Sequence, residues 1–236
     1  MKIRKAILII HGFAGSTYDE EILAQDLELE WNFDVFTYTL KGHENNLFMN
    51  KKYQDWIDCS VSQVEYLKKN GYKVIYVIGH SMGGVIACYL ASKYKEIKKV
   101  VLAAPAFKYI YNKDDKFLTT IKKGKLLIND YGYEEVLKRA LKSSISSAKE
   151  FMKLVRKYYY TPKKITVPVL IIQGLSDNLV PKDSSLYVYN SVKGKKVLLY
   201  LKDVNHDIFH SKKVYIINKK IKKFLKGNIQ ENIITM

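Results

Sequence analysis

Six short runs of apolar and β-branched residues recur along the chain, at Lys5–Ile10, Asp34–Leu40, Lys73–Ile78, Lys98–Ala103, Val167–Gln173 and Lys196–Leu201. Each has the length of a buried strand and is too short for a core helix. Between them lie segments whose apolar residues repeat at helical spacing: Thr17–Trp31, Tyr53–Asn70, Ser81–Tyr94, Pro181–Ser191 and Lys212–Lys226. In Tyr53–Asn70, for example, Tyr53, Trp56, Ile57, Val64 and Leu67 share one stripe, and Thr17-x-x-Glu20 reads as a capping box opening the first helix. Strands that alternate with helices this regularly need crossover connections, which are right-handed and place helices on both faces. The expected fold is therefore α/β, with a mostly parallel sheet of about six strands.

One interval breaks the alternation. Residues 106–161 carry no strand signal, yet 56 residues are too many for a structureless loop. Their apolar positions, among them Phe117, Leu118, Ile121, Val136, Leu137, Leu141, Phe151, Leu154 and Val155, fall at helical spacing. The segment is expected to be a small helical cap, inserted after the fourth strand over the carboxyl edge of the sheet, where open α/β sheets bind ligands. Residues 1–105 and 162–236 then make one core domain.

Composition narrows the function classes. The net charge of +17 would suit a polyanion partner, but it is not spread over the chain. Residues 107–164 hold 15 basic and 6 acidic groups, residues 193–226 hold 11 and 2, and the remainder 14 and 15. A genome of biased base composition also produces this abundance of Lys, Tyr, Ile and Asn, so charge alone selects no function. No nucleic-acid partner is expected, and at most a weak electrostatic contact with a membrane surface. Apolar runs of about five residues, such as Ala6–Ile10, fall far short of the ~20 that span a bilayer. The basic start Met1–Lys5 leads into an apolar run that ends at His11-Gly12, before the length of a signal sequence, so a cytoplasmic protein is expected. Cys59 and Cys88 alone cannot make a disulfide framework and read as small core residues.

The chemistry concentrates at Gly79-His80-Ser81-Met82-Gly83-Gly84, directly after one strand run and directly before a helix pattern. Composition alone would give a G-x-S-x-G match roughly 0.04 times in such a chain, so chance is a poor explanation. In a tight strand-to-helix turn, side chains at Gly79 and Gly83 would collide with neighbouring backbone, while Ser81 is held out over the sheet edge. The helix N-terminus aims N–H groups and positive dipole at developing negative charge.

A serine hydroxyl needs a base to become a nucleophile. His206, in the loop after the last strand run, lies at the same carboxyl edge. His80 would point away from the nucleophile, His11 and His43 follow the first two strands, and His210 reads as a surface or capping residue. The base in turn needs a carboxylate to fix its tautomer. Asp177 follows the fifth strand run, whereas Asp183 suits the first turn of a helix and Asp203 and Asp207 flank His206 too closely. The loop His11-Gly12-Phe13-Ala14-Gly15 completes the set, since the Phe13 amide can pair with the Met82 amide as an oxyanion hole.

With HGFAGS at 11–16, LKGHE at 40–44, GHSMGG at 79–84, QGLSDNLVP at 173–181 and NHDIF at 205–209, the chain resembles the α/β-hydrolase superfamily, and within it small carboxylesterases and monoglyceride-lipase-like serine hydrolases. The resemblance spans nearly the whole chain. It implies a Ser81–Asp177–His206 triad, Phe13 and Met82 as oxyanion donors, no metal or organic cofactor, and hydrolysis of a small-molecule carboxylic ester through an acyl-enzyme. Thioesterase, monoacylglycerol lipase, lysophospholipase and acyltransferase activities would use the same apparatus, and a non-catalytic ligand-binding protein could keep the fold. Two departures stand out: the strands equivalent to the amino-terminal pair of the full eight-stranded fold are missing, and the loop at 42–44 reads GHE where relatives often have GHG.

Overall fold

The computed structural model describes residues 4–30, 32–44, 51–108, 145–227 and 232–236. Seven strands are seen: β1 (Lys5–Ile10), β2 (Asp34–Thr37), β3 (Val74–His80), β4 (Ile97–Ala103), β5 (Val169–Gly174), β6 (Lys196–Leu201) and β7 (Asn232–Thr235). They form one sheet in the order β2-β1-β3-β4-β5-β6-β7. Every neighbouring pair is parallel. All seven carboxyl ends therefore face one edge, and loops distant in sequence meet there.

The central strands are apolar at nearly every position because both of their faces are covered. Ile7, Leu8, Ile10, Val77, Ile78, Val100, Val101, Leu102, Ile171 and Ile172 are fully buried. The helices are α1 (Glu21–Glu28), α2 (Tyr53–Lys69), α3 (Met82–Lys93), α4 (Ile145–Tyr158), α5 (Lys182–Ser191) and α6 (Val214–Lys226), of which α4 packs on α2 and α3. Of the stripe expected on α2, Trp56, Ile57, Val64 and Leu67 are buried and Tyr53 is half-buried. Among the described residues no helix is long and apolar enough to cross a membrane. Cys59 and Cys88 are free thiols, half-buried on α2 and buried on α3 respectively.

Two local expectations need correction. The sheet has seven strands where about six are expected. Strand β7 has only four residues, leaves Ile233 half-exposed, and is held by backbone pairing to β6 from Val197↔Asn232 to Tyr200↔Thr235, so it lacks the buried pattern that marks a strand in sequence. The first helix does not open with a capping box. Thr17–Glu20 is a turn of 3-10 helix capped by Ser16, whose hydroxyl accepts from the Tyr18 N–H at 3.3 Å, and the α-helix begins at Glu21. The Glu20 carboxylate is instead buried against His80.

Residues 109–144 of the expected cap, including Phe117, Leu118, Ile121, Val136, Leu137 and Leu141, lie outside the described residues, as does Trp31. From the remainder, α4 buries Phe151 and Leu154 and is tied to α2 where the Tyr53 N–H donates to a Glu150 carboxylate oxygen at 3.1 Å.

Candidate active site

Strand β3 ends at His80 and α3 begins at Met82, so Ser81 alone makes the turn between them, with φ +53° and ψ −113°. Such a conformation at a non-glycine residue costs about 1–3 kcal/mol and persists only where its surroundings enforce it. Here the Ser81 N–H donates to the Ala103 carbonyl at 2.8 Å, while its own carbonyl accepts from Gly84 at 3.0 Å and Ala106 at 3.1 Å. A methyl group built on Gly79 would lie 2.3 Å from the Gly83 carbonyl oxygen, and one on Gly83 would lie 2.2 Å from that of Ile10. The sequence argument for glycine at these two positions is thus a matter of backbone contact.

The same crowding locates the loop after β1. Gly83 presses against the carbonyls of Ile10 and His11, and a methyl group on Gly12 would come within 3.3 Å of Ser81 Cβ. Met82 follows Ser81 at the first position of α3, and Phe13 follows Gly12 on this loop. Ala14 takes a positive φ of 57° to make the bend. The Phe13 ring stacks on Phe151 of α4, with centroids 5.3 Å apart and planes at 16°.

His206 and Asp177 meet across the loops that follow β6 and β5. His206 Nδ1 lies 2.8 Å from Asp177 Oδ2, and both side chains are almost wholly buried. With Nδ1–H donating to the carboxylate, neutral His206 carries its lone pair on Nε2. The other carboxylate oxygen, Oδ1, accepts from the backbone N–H groups of Leu179 and Val180, each at 2.8 Å. Burial pushes the Asp177 pKa upward, but the charge and hydrogen bond of His206 and the two N–H donors outweigh it and hold the carboxyl below its ordinary range. The two loops are joined by Ser176 N–H to Val204 O at 2.9 Å, and Gly174 leaves them room, since a methyl group there would lie 2.3 Å from the Val204 oxygen.

Gln173, His80 and Glu20, none of them expected at the site from the sequence, are buried and support it. Gln173, wholly buried at the end of β5, points its amide nitrogen at Asp177 Oδ2, at 3.1 Å, and at the carbonyls of Gly174 and Val180. Its amide oxygen accepts from the Ser185 hydroxyl at 2.7 Å. His80 lies between Glu20 Oε1, 3.1 Å from Nδ1, and the main-chain oxygen of His206, 3.0 Å from Nε2. The available signal was a lone glutamine closing an otherwise apolar strand, and a histidine in a position that the turn aims inward.

The other histidines and carboxylates have separate partners. His11 donates from Nδ1 to the Gly12 carbonyl at 2.8 Å and accepts the Leu40 N–H at Nε2 at 3.0 Å, joining two loops. His43 is buried against Trp56, Phe13 and His11. His210 pairs with Asp207 at 2.8 Å in a 3-10 turn ahead of α6 and stacks on Tyr18. Asp183 sits in the first turn of α5, and Asp203 has a positive φ of 55° in the turn after β6.

A parallel sheet whose carboxyl edge gathers a strained serine and a buried histidine–carboxylate pair, in the chain order Ser, Asp, His, defines the α/β-hydrolase class. Residues 5–163 match the family described as alpha/beta hydrolase fold, and the chain belongs to that family. Residues 111–233 also match a family described as PhoPQ-activated pathogenicity-related protein. A carboxylesterase of Bacillus subtilis is 25% identical over 230 residues, covering 94% of this chain and 92% of the relative. Among solved structures, one from work on LipS and LipT, two metagenome-derived lipolytic enzymes, superposes with a TM-score of 0.77 at 18% identity, covering 96% of this chain and 95% of the other. A soluble variant of monoglyceride lipase from Saccharomyces cerevisiae gives 0.67 at 21% identity, covering 95% and 87%.

Proposed function

We propose that the protein hydrolyses carboxylic esters of short to medium acyl chain, with Ser81 as nucleophile, His206 as general base and Asp177 as the carboxylate that orients it. At the level of class it is an esterase/lipase-type α/β hydrolase. The observation that carries the finer reading is the buried 2.8 Å His206–Asp177 pair, with the main chain of His206 held by His80, the residue preceding a serine of positive φ. Ser81 Oγ attacks the substrate carbonyl as its proton passes to His206 Nε2. The oxyanion is received by the amides of Phe13 and Met82 at the positive end of α3. Asp177 stabilises the imidazolium, which then protonates the leaving alkoxide. In the second half, water gives its proton to His206 and attacks the acyl carbon, releasing the acid and restoring Ser81. These transfers close without a metal or organic cofactor.

Residues 106–161 act in this reading as the cap that shapes the acyl site, and the stacked Phe13 and Phe151 supply apolar surface beside the nucleophile. One methylene in such a site is worth only about 1–3 kcal/mol, so the chain-length optimum is broad. Exposed lysines are screened beyond ~8 Å at physiological salt, so anionic vesicles change the rate only modestly.

The test pairs a fluorophosphonate probe with p-nitrophenyl esters of increasing acyl length, run beside acyl-CoAs and monoacylglycerols. Wild type should be labelled and should hydrolyse soluble short-chain esters without any interface. Ser81→Ala should fold, resist labelling and lose hydrolysis by several orders of magnitude. Labelling that survives in Ser81→Ala would sink the nucleophile assignment. Turnover only of acyl-CoAs, or only above a micellar threshold, would move the substrate class to thioesters or to lipid aggregates.

A further inference from the structure

The base is carried on a loop that starts far from the nucleophile. Strands β3 and β6 are separated by β4 and β5, so at about 4.8 Å per strand the His206 loop must reach across roughly 14 Å of sheet edge. What receives it there is His80. Its ring is buried, lies 5.1 Å from the His206 ring at 34° and meets the edge of Phe209 at 5.6 Å. One ring nitrogen faces the His206 main-chain oxygen and the other faces Glu20 Oε1, whose residue is 1% exposed. A carbonyl oxygen can only accept a hydrogen bond, and so can an ionised carboxylate. With Glu20 ionised, both ring nitrogens donate, which only an imidazolium does.

We propose that His80 is a positioning residue, a buried imidazolium balanced by Glu20 that tethers the His206 loop to the strand end presenting Ser81. The inference rests on reading Ser81 and His206 as nucleophile and base. The tether grips the main-chain oxygen of His206 and not its imidazole, so the base can gain and lose a proton in each cycle while its main chain stays fixed. A hydrogen bond from a charged donor is about twice as strong as a neutral one, which suits a contact that must survive every turnover. The groups around the His80 ring are consistent with this charge. Burial alone opposes it, but Glu20, with Asp19 on the same turn and Asp207 on the base loop, outweighs burial and raises the affinity of His80 for its proton. A further titratable neighbour is His206 itself, paired to Asp177 on its far side.

Three variants and one spectrum test this. In His80→Gln the side-chain nitrogen can take the place of Nε2 and keep a neutral donor to the His206 carbonyl, whereas His80→Met keeps bulk without any donor. For a p-nitrophenyl ester, His80→Met should lose about 10- to 100-fold in kcat with KM within about twofold, the effect of a base displaced by a fraction of an ångström. His80→Gln should recover most of that loss. In wild-type protein labelled with 15N-histidine, the His80 ring, assigned by its disappearance in His80→Gln, should show both nitrogens protonated at pH 8. A neutral His80 ring at that pH overturns the proposal, as does wild-type kcat in His80→Met. If His80→Met does not fold, the spectrum alone decides. Phosphonate labelling that persists in Ser81→Ala would overturn the underlying catalytic reading instead, and would leave the His80 spectrum interpretable.

Discussion

Replacing Gln173 by methionine would remove an amide while keeping an unbranched chain of similar length in a site with no solvent access. The amide has two hydrogens and three acceptors within reach, Gly174 O, Asp177 Oδ2 and Val180 O, so it makes one full bond and one shared between two acceptors, and its oxygen takes the Ser185 hydroxyl. A neutral buried bond is worth about 1 kcal/mol net and one to a carboxylate about 1.5–3 kcal/mol, so the set comes to about 4 kcal/mol. That is a large share of the 5–15 kcal/mol that holds a domain together. Asp177 would still have its two backbone donors and His206, so the pair should form with a looser carboxylate. Gln173→Met should therefore lower the urea midpoint markedly at an unchanged slope, and lower kcat by about tenfold with KM preserved. Urea titration followed by far-UV circular dichroism, together with steady-state kinetics on a short p-nitrophenyl ester, measures both. An unchanged midpoint would refute the reasoning, because it would mean that these bonds are no stronger than those the same groups make with water.

Two further outcomes follow from single contacts. The hydrogen bond that His210 donates to Asp207 raises the pKa of His210, so the pair adds stability that is complete below the unfolded pKa near 6.5 and is lost as pH rises through the folded value; His210→Ala should depress Tm more at pH 5.5 than at pH 9 and keep ester hydrolysis, whereas a dead variant would move the base assignment to His210. Asn218 is buried in α6 and, among the described residues, neither end of its amide has a partner, so Asn218→Leu should remove a desolvation cost of about 1–3 kcal/mol and raise Tm by several degrees in thermal melts, while a fall in Tm would show that the amide is satisfied.

The parts of this structure legible in the sequence are those where a local rule and the tertiary environment agree. Lys196–Leu201 is a strand over the residues that its apolar run marks, and Gly79 and Gly83 stand where a methyl group would meet neighbouring backbone, a local reason for glycine. Strand β2 stops at Thr37 and not at Leu40, and β7 leaves no signature, because edge strands are held by backbone bonds and need little apolar burial. The first-helix capping box fails for a different reason. Glu20 has the right spacing to cap its own helix, but a histidine 60 residues away offers a buried ionic partner, and no rule of spacing reveals that competition. Gln173, His80 and Glu20 are ordinary polar residues until the sheet brings β1, β3, β5 and β6 to one edge.

The stack of Phe13 on Phe151 joins two parts of the molecule that are usually treated as having separate tasks. In the proposed mechanism Phe13 offers its backbone to the oxyanion, and its ring rests on α4, part of the segment proposed to cover the acyl site. A bulky acyl group that displaces this helix would draw on the ring, and through it on the short bend containing Ala14 at positive φ. Poorly fitting substrates would then be discriminated through slower chemistry as well as weaker binding. The hydrolase would behave like a latch whose keeper is fixed to the door it secures, and mutations in its cap would register in turnover number as readily as in affinity.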